Sequence, residues 1–345
     1  MKTDLSPNAT APIAGVAADM EALRPYWHPV CHSKTVVDAP VGVTVLGEPV
    51  VLFRTRHGVE AFHDLCPHRG AKLSLGSVIG EELTCPYHGF RYDREGTCTL
   101  IPSQPPEHQV IPSRLRLRSY RATERFGIVW IALEEPRLPV PDCPYFEDSD
   151  FHTHLPAPIS WNTSAARWME NFLDMTHLAH VHPGILSDPN EPEVAPYEVE
   201  ETDTGLRYEF PFRQQLDPSR WPQNPGDPLD LEDAYSRHIL YLPYTISIST
   251  DTPVGTWSLW SAGLPVGPTE VEIFFVMSRN YQKDVPDEEF DAMMRMIAGQ
   301  DKPIAESQHP ERLPVDLTEE VHLRVGDAIG VAYRHRLREI GLRYA

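Results

Sequence analysis

The chain has 345 residues, 35 of them proline, five cysteines and a formal net charge of −20. That acidity argues against a nucleic-acid partner, five cysteines do not suggest a disulfide framework, and the apolar runs are far too short to span a bilayer. Proline at roughly twice the usual ~5% favours short strands and ordered loops over long helices.

Residues 1–20 are small and polar, with no basic-then-apolar signal pattern, and read as a flexible tail on a cytoplasmic protein. Residues 21–137 read as a first domain. Short alternating runs at 44–46, 50–53, 59–62 and 128–133, punctuated by Gly and Pro, predict antiparallel β structure. Between them stands Cys66-Pro-His68, then sixteen residues, then Cys85-Pro-Tyr-His88. Two thiolates and two imidazoles can hold a [2Fe–2S] cluster, with the Cys pair on one iron and the His pair on the other. Neutral imidazole then raises the reduction potential above that of an all-Cys cluster. A structural zinc site uses the same donors. Zinc fingers, however, keep the Cys pair and the His pair in separate motifs, whereas each motif here holds one of each.

Cys31, Cys98 and Cys143 are expected to be small buried side chains. Residues 51–125 carry eleven Lys/Arg against eight Asp/Glu. Arg54, Arg56, Lys72, Arg91 and Arg94 lie in or near the Cys/His motifs. They form either a patch that steers an acidic electron-transfer partner or ordinary solvated charge.

A Pro-rich stretch at 134–141 marks the boundary to a second domain, residues 138–345. Residues 160–182 have helical character and contain Asp174, His177, His180 and His182. Asp174 and His177, three apart, share one helix face. His182 is five beyond His177, about 140° round the helix, so the two rings meet one metal only if the helix ends or distorts. Pro183-Gly184 supplies a stop. Two His with a later carboxylate make the facial triad of mononuclear iron(II), which leaves positions open for O2 and substrate. The plainer alternative is a His-rich helix end that caps carbonyls. A second β region follows over about 204–281.

Pro286 and the acids after it open a last helix, on which Phe290, Met294, Ile297 and Asp301 form one stripe. An acid on an inward stripe needs a partner, which a metal would supply; otherwise Asp301 caps the segment at Pro303. Trp168, Phe210, Phe212, Tyr244, Trp257 and Trp260 are expected in the core more than in a pocket.

CPHRGAKLSLG, CPYHGFRYDREGTC and ENFLDMTHLAHVHPG resemble the cluster loops and the mononuclear-iron motif of Rieske non-haem iron oxygenases. Gln300-Asp301-Lys-Pro resembles the family's C-terminal ligand helix. The likeness runs from about residue 24 to the C-terminus and is nearest to vanillate and dicamba O-demethylases and caffeine N-demethylases. It implies an α+β chain: an antiparallel β Rieske domain followed by a helix-grip catalytic domain. Cys66, His68, Cys85 and His88 would bind the cluster. His177, His182 and Asp301 would bind iron, with His180 outside the pattern, near the site or at the surface.

The resemblance further implies a head-to-tail homotrimer in which Asp174 bridges His88 of one subunit and His177 of its neighbour. The reaction implied is oxidative demethylation or hydroxylation of a small aromatic or heterocyclic substrate with O2. No Gly-x-Gly-x-x-Gly motif is present, so electrons from NAD(P)H would arrive through a separate reductase or ferredoxin. The rival within the class is ring (di)hydroxylation or another C–H oxidation. A non-enzymatic electron carrier is opposed by the second His/His/Asp set and the long second domain.

Overall fold

The computed structural model describes residues 14–215, 220 and 227–345. Helix α1 (Ala14–Leu23) comes first. The tail expected over 1–20 is corrected at residues 14–20, which are helical. Residues 1–13 lie outside the described residues, while Asp19 is buried and accepts hydrogen bonds from Arg312 (2.5 Å) and the Arg343 N–H (2.9 Å). That ion pair ties α1 to the C-terminal end of the chain.

The first half is built from three small antiparallel sheets. Strand β1 (His28–His32) comes first, then β2 (Val41–Val45), β3 (Glu48–Thr55) and β4 (Gly58–His63), which form one sheet in that order. Strands β5 (Ser77–Ile79), β6 (Glu82–Thr84), β7 (Arg91–Tyr92) and β8 (Cys98–Leu100) form another. Strands β9 (Arg121–Arg125) and β10 (Ile128–Ala132) complete the third, ordered β1-β10-β9. All five residues of β10 are buried, as a strand covered on both faces must be.

The second half opens with the short strands β11 (His152–His154) and β12 (Ile159–Trp161), then helices α2 (Ala165–Leu173) and α3 (Leu178–Val181). A meander follows: β13 (Val199–Thr202), β14 (Gly205–Gln214), β15 (Glu232–Tyr241), β16 (Thr245–Thr252), β17 (Gly255–Gly267) and β18 (Glu270–Arg279). These pair in sequence order, and β11 and β12 both add to β18. Helices α4 (Asp287–Ala305) and α5 (Ala328–Glu339) end the chain.

Strand periodicity explains how this sheet serves two cores. On β18, Ile273, Phe275 and Met277 face the core that contains Trp168, Leu173, Met294 and Tyr333. The alternate residues Phe274 and Val276, with Trp260 and Ala262 of β17, pack instead against β1, β3 and β10. Trp130 meets Trp260 edge to face at 5.8 Å. The two halves therefore share apolar core across the expected boundary. The 134–141 stretch has neither helix nor strand, and Val140 within it is buried. On the other face, Gly263 lets the Trp168 ring lie against the sheet, since a Cβ there would fall 2.6 Å from the ring. Among the described residues no helix is long and apolar enough to cross a membrane.

Candidate active site and cluster loops

The two Cys/His motifs fold as matching loops. Cys66 lies between β4 and β5, Cys85 between β6 and β7. The Cys66 N–H donates to the Ala71 carbonyl (2.8 Å) and the Gly70 N–H to the Cys66 carbonyl (2.9 Å). In the second loop the Cys85 N–H donates to Phe90 (2.8 Å) and the Gly89 N–H to Cys85 (3.0 Å). Gly70 and Gly89 have φ of 73° and 68°, a conformation costly for any residue with a Cβ. The glycine four residues past each cysteine thus closes the loop.

The two thiols are buried, His68 is half-buried and His88 is exposed. The imidazole rings lie 4.6 Å apart, and His68 stacks on Phe90. The buried Nδ1 of His68 has no hydrogen-bond partner. The Tyr92 hydroxyl lies 3.3 Å from Cys66 Sγ. Burial pushes the Cys85 thiol up, against the backbone hydrogen bonds from Tyr87 and His88 that favour the thiolate. Desolvation, with His88 and Arg69 nearby, lowers His68 and keeps it neutral, the form that ligates. An orphaned imidazole nitrogen beside two inward thiols, with an exposed histidine facing solvent, fits a [2Fe–2S] cluster on Cys66, Cys85, His68 and His88. Cys98 and Cys143 are buried, as expected, and Cys31 is half-buried.

The second constellation begins on α2. Ser164 caps that helix by accepting from the Arg167 N–H (3.2 Å). The helix does not run on through His177 as the spacing suggested; it ends at Leu173. Asp174 then starts a new turn. Its Oδ1 accepts from the Thr176 N–H (2.9 Å) and hydroxyl (2.7 Å), its Oδ2 from the His177 N–H and ring Nδ1, both at 3.1 Å. Burial alone would raise the Asp174 carboxyl, but the bonds from His177 and Thr176 hold it below its ordinary value. Helix α3 stops at Val181, and His182 leaves it with φ −122° and ψ 50°. This second distortion lets both rings face one point. His180 is exposed and takes no part.

Asp301 reaches that point from α4. The helix runs through Pro303 to Ala305, so Asp301 is a helix-interior residue rather than a cap. Its Oδ1 lies 2.9 Å from His182 Nε2 and 3.5 Å from His177 Nε2. The three ligand atoms lie within 4.8 Å of one another. His182 and Asp301 are buried, so a bare carboxylate here needs a cation. Each ring's Nδ1 is already held, His177's by Asp174 and His182's by Gln300 Oε1 (2.7 Å). Both Nε2 atoms are thereby directed at the carboxylate, which fits a mononuclear iron in a facial triad. Gln300 has no role in the sequence reading; its only signal there was adjacency to Asp301.

A second group with ligand geometry, His152, His154 and Asp287, sits at the start of α4. There Arg279 Nη1 lies 2.9 Å from Asp287 and already supplies the positive charge. That cluster pins α4 to the sheet.

An open, largely apolar cavity reaches the triad. Phe210, Phe212 and Trp257 line it, whereas Trp168, Tyr244 and Trp260 are core only. Phe210 is also buried in the core, so the expectation of aromatics in the core holds for four of the six. On its other side Asp174 opens into a polar recess with Arg167, Glu170, Glu320 and His322.

Two family profiles match the chain. The Rieske [2Fe-2S] domain profile matches residues 26–121, and the vanillate O-demethylase oxygenase C-terminal domain profile matches residues 161–343. Methylxanthine N1-demethylase NdmA of Pseudomonas putida is 32% identical over 93% of this chain and 90% of its own. Methylxanthine N3-demethylase NdmB of the same organism is 31% identical over 94% and 91%. The structure of P. putida CBB5 NdmA with caffeine superposes with a TM-score of 0.81 at 29% identity, covering 93% of this chain and 92% of that one. Both halves, and their order along the sequence, make this chain a member of the Rieske non-haem iron oxygenases.

Proposed function

We propose that this oxygenase demethylates a small aromatic or heterocyclic substrate. As a Rieske oxygenase component it takes O2, a small-molecule substrate and electrons from separate electron-transfer proteins. The observation that carries the finer reading is the cavity itself, an apolar chamber that ends on His177, His182 and Asp301. The similarity to two methylxanthine N-demethylases supports methyl removal over ring dihydroxylation.

We assign the cluster to residues 21–137 and the catalytic machinery to 138–345. In this reading Cys66, Cys85, His68 and His88 hold the cluster, and His177, His182 and Asp301 hold the iron. When bound, the cluster supplies single electrons and the iron supplies O2 activation. Asp174 and Gln300 fix the two imidazoles by accepting hydrogen bonds from their Nδ1–H groups. Phe210, Phe212, Met293 and Met294 exclude water from the reacting methyl group. Oxygen insertion into a methyl C–H on nitrogen or oxygen gives a hemiaminal or hemiacetal. Its collapse transfers the hydroxyl proton to the heteroatom and releases formaldehyde.

The assembly we infer is a head-to-tail homotrimer. Leu75 and Tyr87, beside the cluster loops, are 74% and 65% exposed, and Val321, at the recess next to Asp174, is 88% exposed. Joining these apolar surfaces would bring His88 of one subunit toward Asp174 of the next. Among the cluster-side cations, Arg54, Arg56, Arg91 and Arg94 have acidic partners, while Arg69 and Lys72 are exposed. These two favour an acidic reductase or ferredoxin. Five unpaired cysteines suit the reducing cytoplasm, where we place the protein.

The test is a panel of N- and O-methylated heteroaromatics, with a surrogate reductase and labelled O2. Demethylation requires substrate-dependent O2 uptake with one formaldehyde per product. A labelled diol without formaldehyde would instead establish dihydroxylation.

A further inference from the structure

The substrate cavity contains a polar group with nothing to bind. Gln214, the last residue of β14, is only 2% exposed, yet neither Nε2 nor Oε1 of its carboxamide has a hydrogen-bond partner. It lines the same cavity as His177, His182 and Asp301. A buried donor and acceptor left unpaired are both costly, so such groups call for a ligand.

The other polar side chains on this wall are already committed to one another. The Tyr208 hydroxyl donates to the Leu173 carbonyl (3.0 Å), since a carbonyl can only accept. His238 Nδ1–H must then donate to the Tyr208 oxygen (2.7 Å), which leaves Nε2 to accept from the Ser236 hydroxyl (2.9 Å). Thr250 in turn donates to Ser236 (3.3 Å). Burial lowers His238 to about 3, so this ring is neutral as the chain of bonds requires. Asn171 Oδ1 is also unpartnered, but it belongs to the iron end, where its amide lies 3.5 Å from Asp301.

Among the described residues no Lys or Arg lines the cavity, and its two carboxylates, Asp174 and Asp301, both belong to the iron end. The guanidinium behind the Trp257 and Met293 wall, Arg279, is occupied by Asp287, two backbone carbonyls and the Phe290 ring. Among the described residues no cationic side chain away from the iron end would balance a carboxylate-bearing substrate.

We infer that the substrate is a neutral ring carrying a cis amide edge, an N–H next to a C=O as in a lactam or imide, and that Gln214 reads that edge through two antiparallel hydrogen bonds. Gln214 Oε1 accepts from the ring N–H and Nε2 donates to the ring carbonyl. Such an edge satisfies both orphan atoms at once. The inference deepens the demethylase reading and takes its cavity from it. Gln214 is a specificity residue: it holds the polar edge while the methyl group is presented elsewhere on the ring.

The test is binding by calorimetry to the full chain with both metal centres loaded. The probes are 2-quinolinone, its N-methyl derivative, and 2-aminoquinoline, which offers two donors when protonated. The wild type binds 2-quinolinone about tenfold more tightly than the N-methyl compound. Gln214→Leu brings the two within about twofold by weakening only the first. Gln214→Glu keeps the acceptor and loses the donor, so it binds 2-aminoquinoline at pH 6.5 at least tenfold better than wild type. A purely structural role for Gln214 would not create that preference. Equal wild-type affinity for the lactam and its N-methyl form, parallel loss in the variants, or no binding of either quinolinone would overturn the inference. Oxygen uptake and formaldehyde are measured separately. A lactam preference without substrate-driven O2 uptake leaves the Gln214 assignment standing and overturns the demethylase reading instead.

Discussion

His182 is gripped from both sides by consecutive residues of one helix: Gln300 Oε1 lies 2.7 Å from its Nδ1 and Asp301 Oδ1 lies 2.9 Å from its Nε2. An amide oxygen can only accept, so Nδ1 donates to Gln300 and Nε2 is left as the nitrogen that would ligate iron beside Asp301. Gln300→Leu removes the acceptor and should weaken iron binding by about 10–100-fold while leaving the cluster untouched. Gln300→Glu restores an acceptor and should recover most of that loss. Iron titration against a chelator, with the cluster followed by its visible spectrum, measures both. Unchanged iron affinity in the Leu variant would show that Asp301 alone sets the ring.

Asp301→Ala should release the mononuclear iron and leave the cluster in place, since two imidazoles alone make an incomplete triad. Metal analysis should fall from three irons per chain to two. Exposed Glu289, on the same helix, is the control, and Glu289→Ala should keep all three. Asp291 would be a poor control, because its carboxylate lies 2.8 Å from His154 Nε2 and helps anchor the helix. If Glu289→Ala loses iron and Asp301→Ala does not, the ligand is misassigned.

The Tyr92 hydroxyl contacts the Cys66 sulfur at 3.3 Å. A hydrogen bond to a cluster sulfur stabilises the more negative, reduced state and raises the potential. Tyr92→Phe should lower the reduction potential without changing iron content. A potentiometric titration followed by EPR of the reduced cluster decides it. Cys66→Ser, by contrast, should abolish the cluster spectrum altogether.

Much of this was legible because ligand spacing is a local property. Cys66 to His88 form paired loops whose glycines are fixed by the chain itself, and Asp174, His177 and His182 are likewise close in sequence. The helical stripe over 290–301 put Asp301 inward because a 3.6-residue period is visible without a fold. Gln300 was not legible, since its bond to His182 exists only once α4 packs against the loop after α3. Gln214 was equally hidden. A glutamine in a strand has no signature, and its lack of partners is a property of the assembled cavity. The break before His177 came from Asp174 starting a new turn, which periodicity does not show, whereas the stop before Pro183-Gly184 was legible.

Buried neutral histidines should make stability fall in mild acid. Burial lowers His28 to about 4 and His238 to about 3, from an ordinary 6.5. Below pH 6.5 the unfolded chain takes up protons that the folded chain refuses. Their contribution is therefore complete above pH 6.5 and is lost as pH falls toward 4. Each costs up to about 1.4 kcal/mol per pH unit in that window. Urea unfolding between pH 7.5 and 5 should show the midpoint dropping below 6.5. His28→Gln, which can still donate to the Leu23 carbonyl as the ring does at 3.0 Å, should roughly halve the slope. A slope that His28→Gln leaves unchanged would place the proton uptake elsewhere.

Asp174 faces both ways, toward the cavity through His177 and toward the outer recess. Asp174→Asn keeps the shape but loses the charge and part of the acceptor capacity. Both metal centres should stay largely occupied while turnover nearly stops. The cluster should still reduce, yet re-oxidise slowly with substrate and O2. The inferred head-to-tail trimer gives this a sharper form. Chains with a dead cluster, Cys85→Ser, are assembled with chains carrying Asp301→Ala, which lack the iron. Neither works alone. If electrons cross between subunits, the Asp301→Ala chain's intact cluster serves the Cys85→Ser chain's intact iron, and the mixture regains part of wild-type activity. If electrons stay within one chain, no subunit has both centres, and properly assembled mixtures recover nothing.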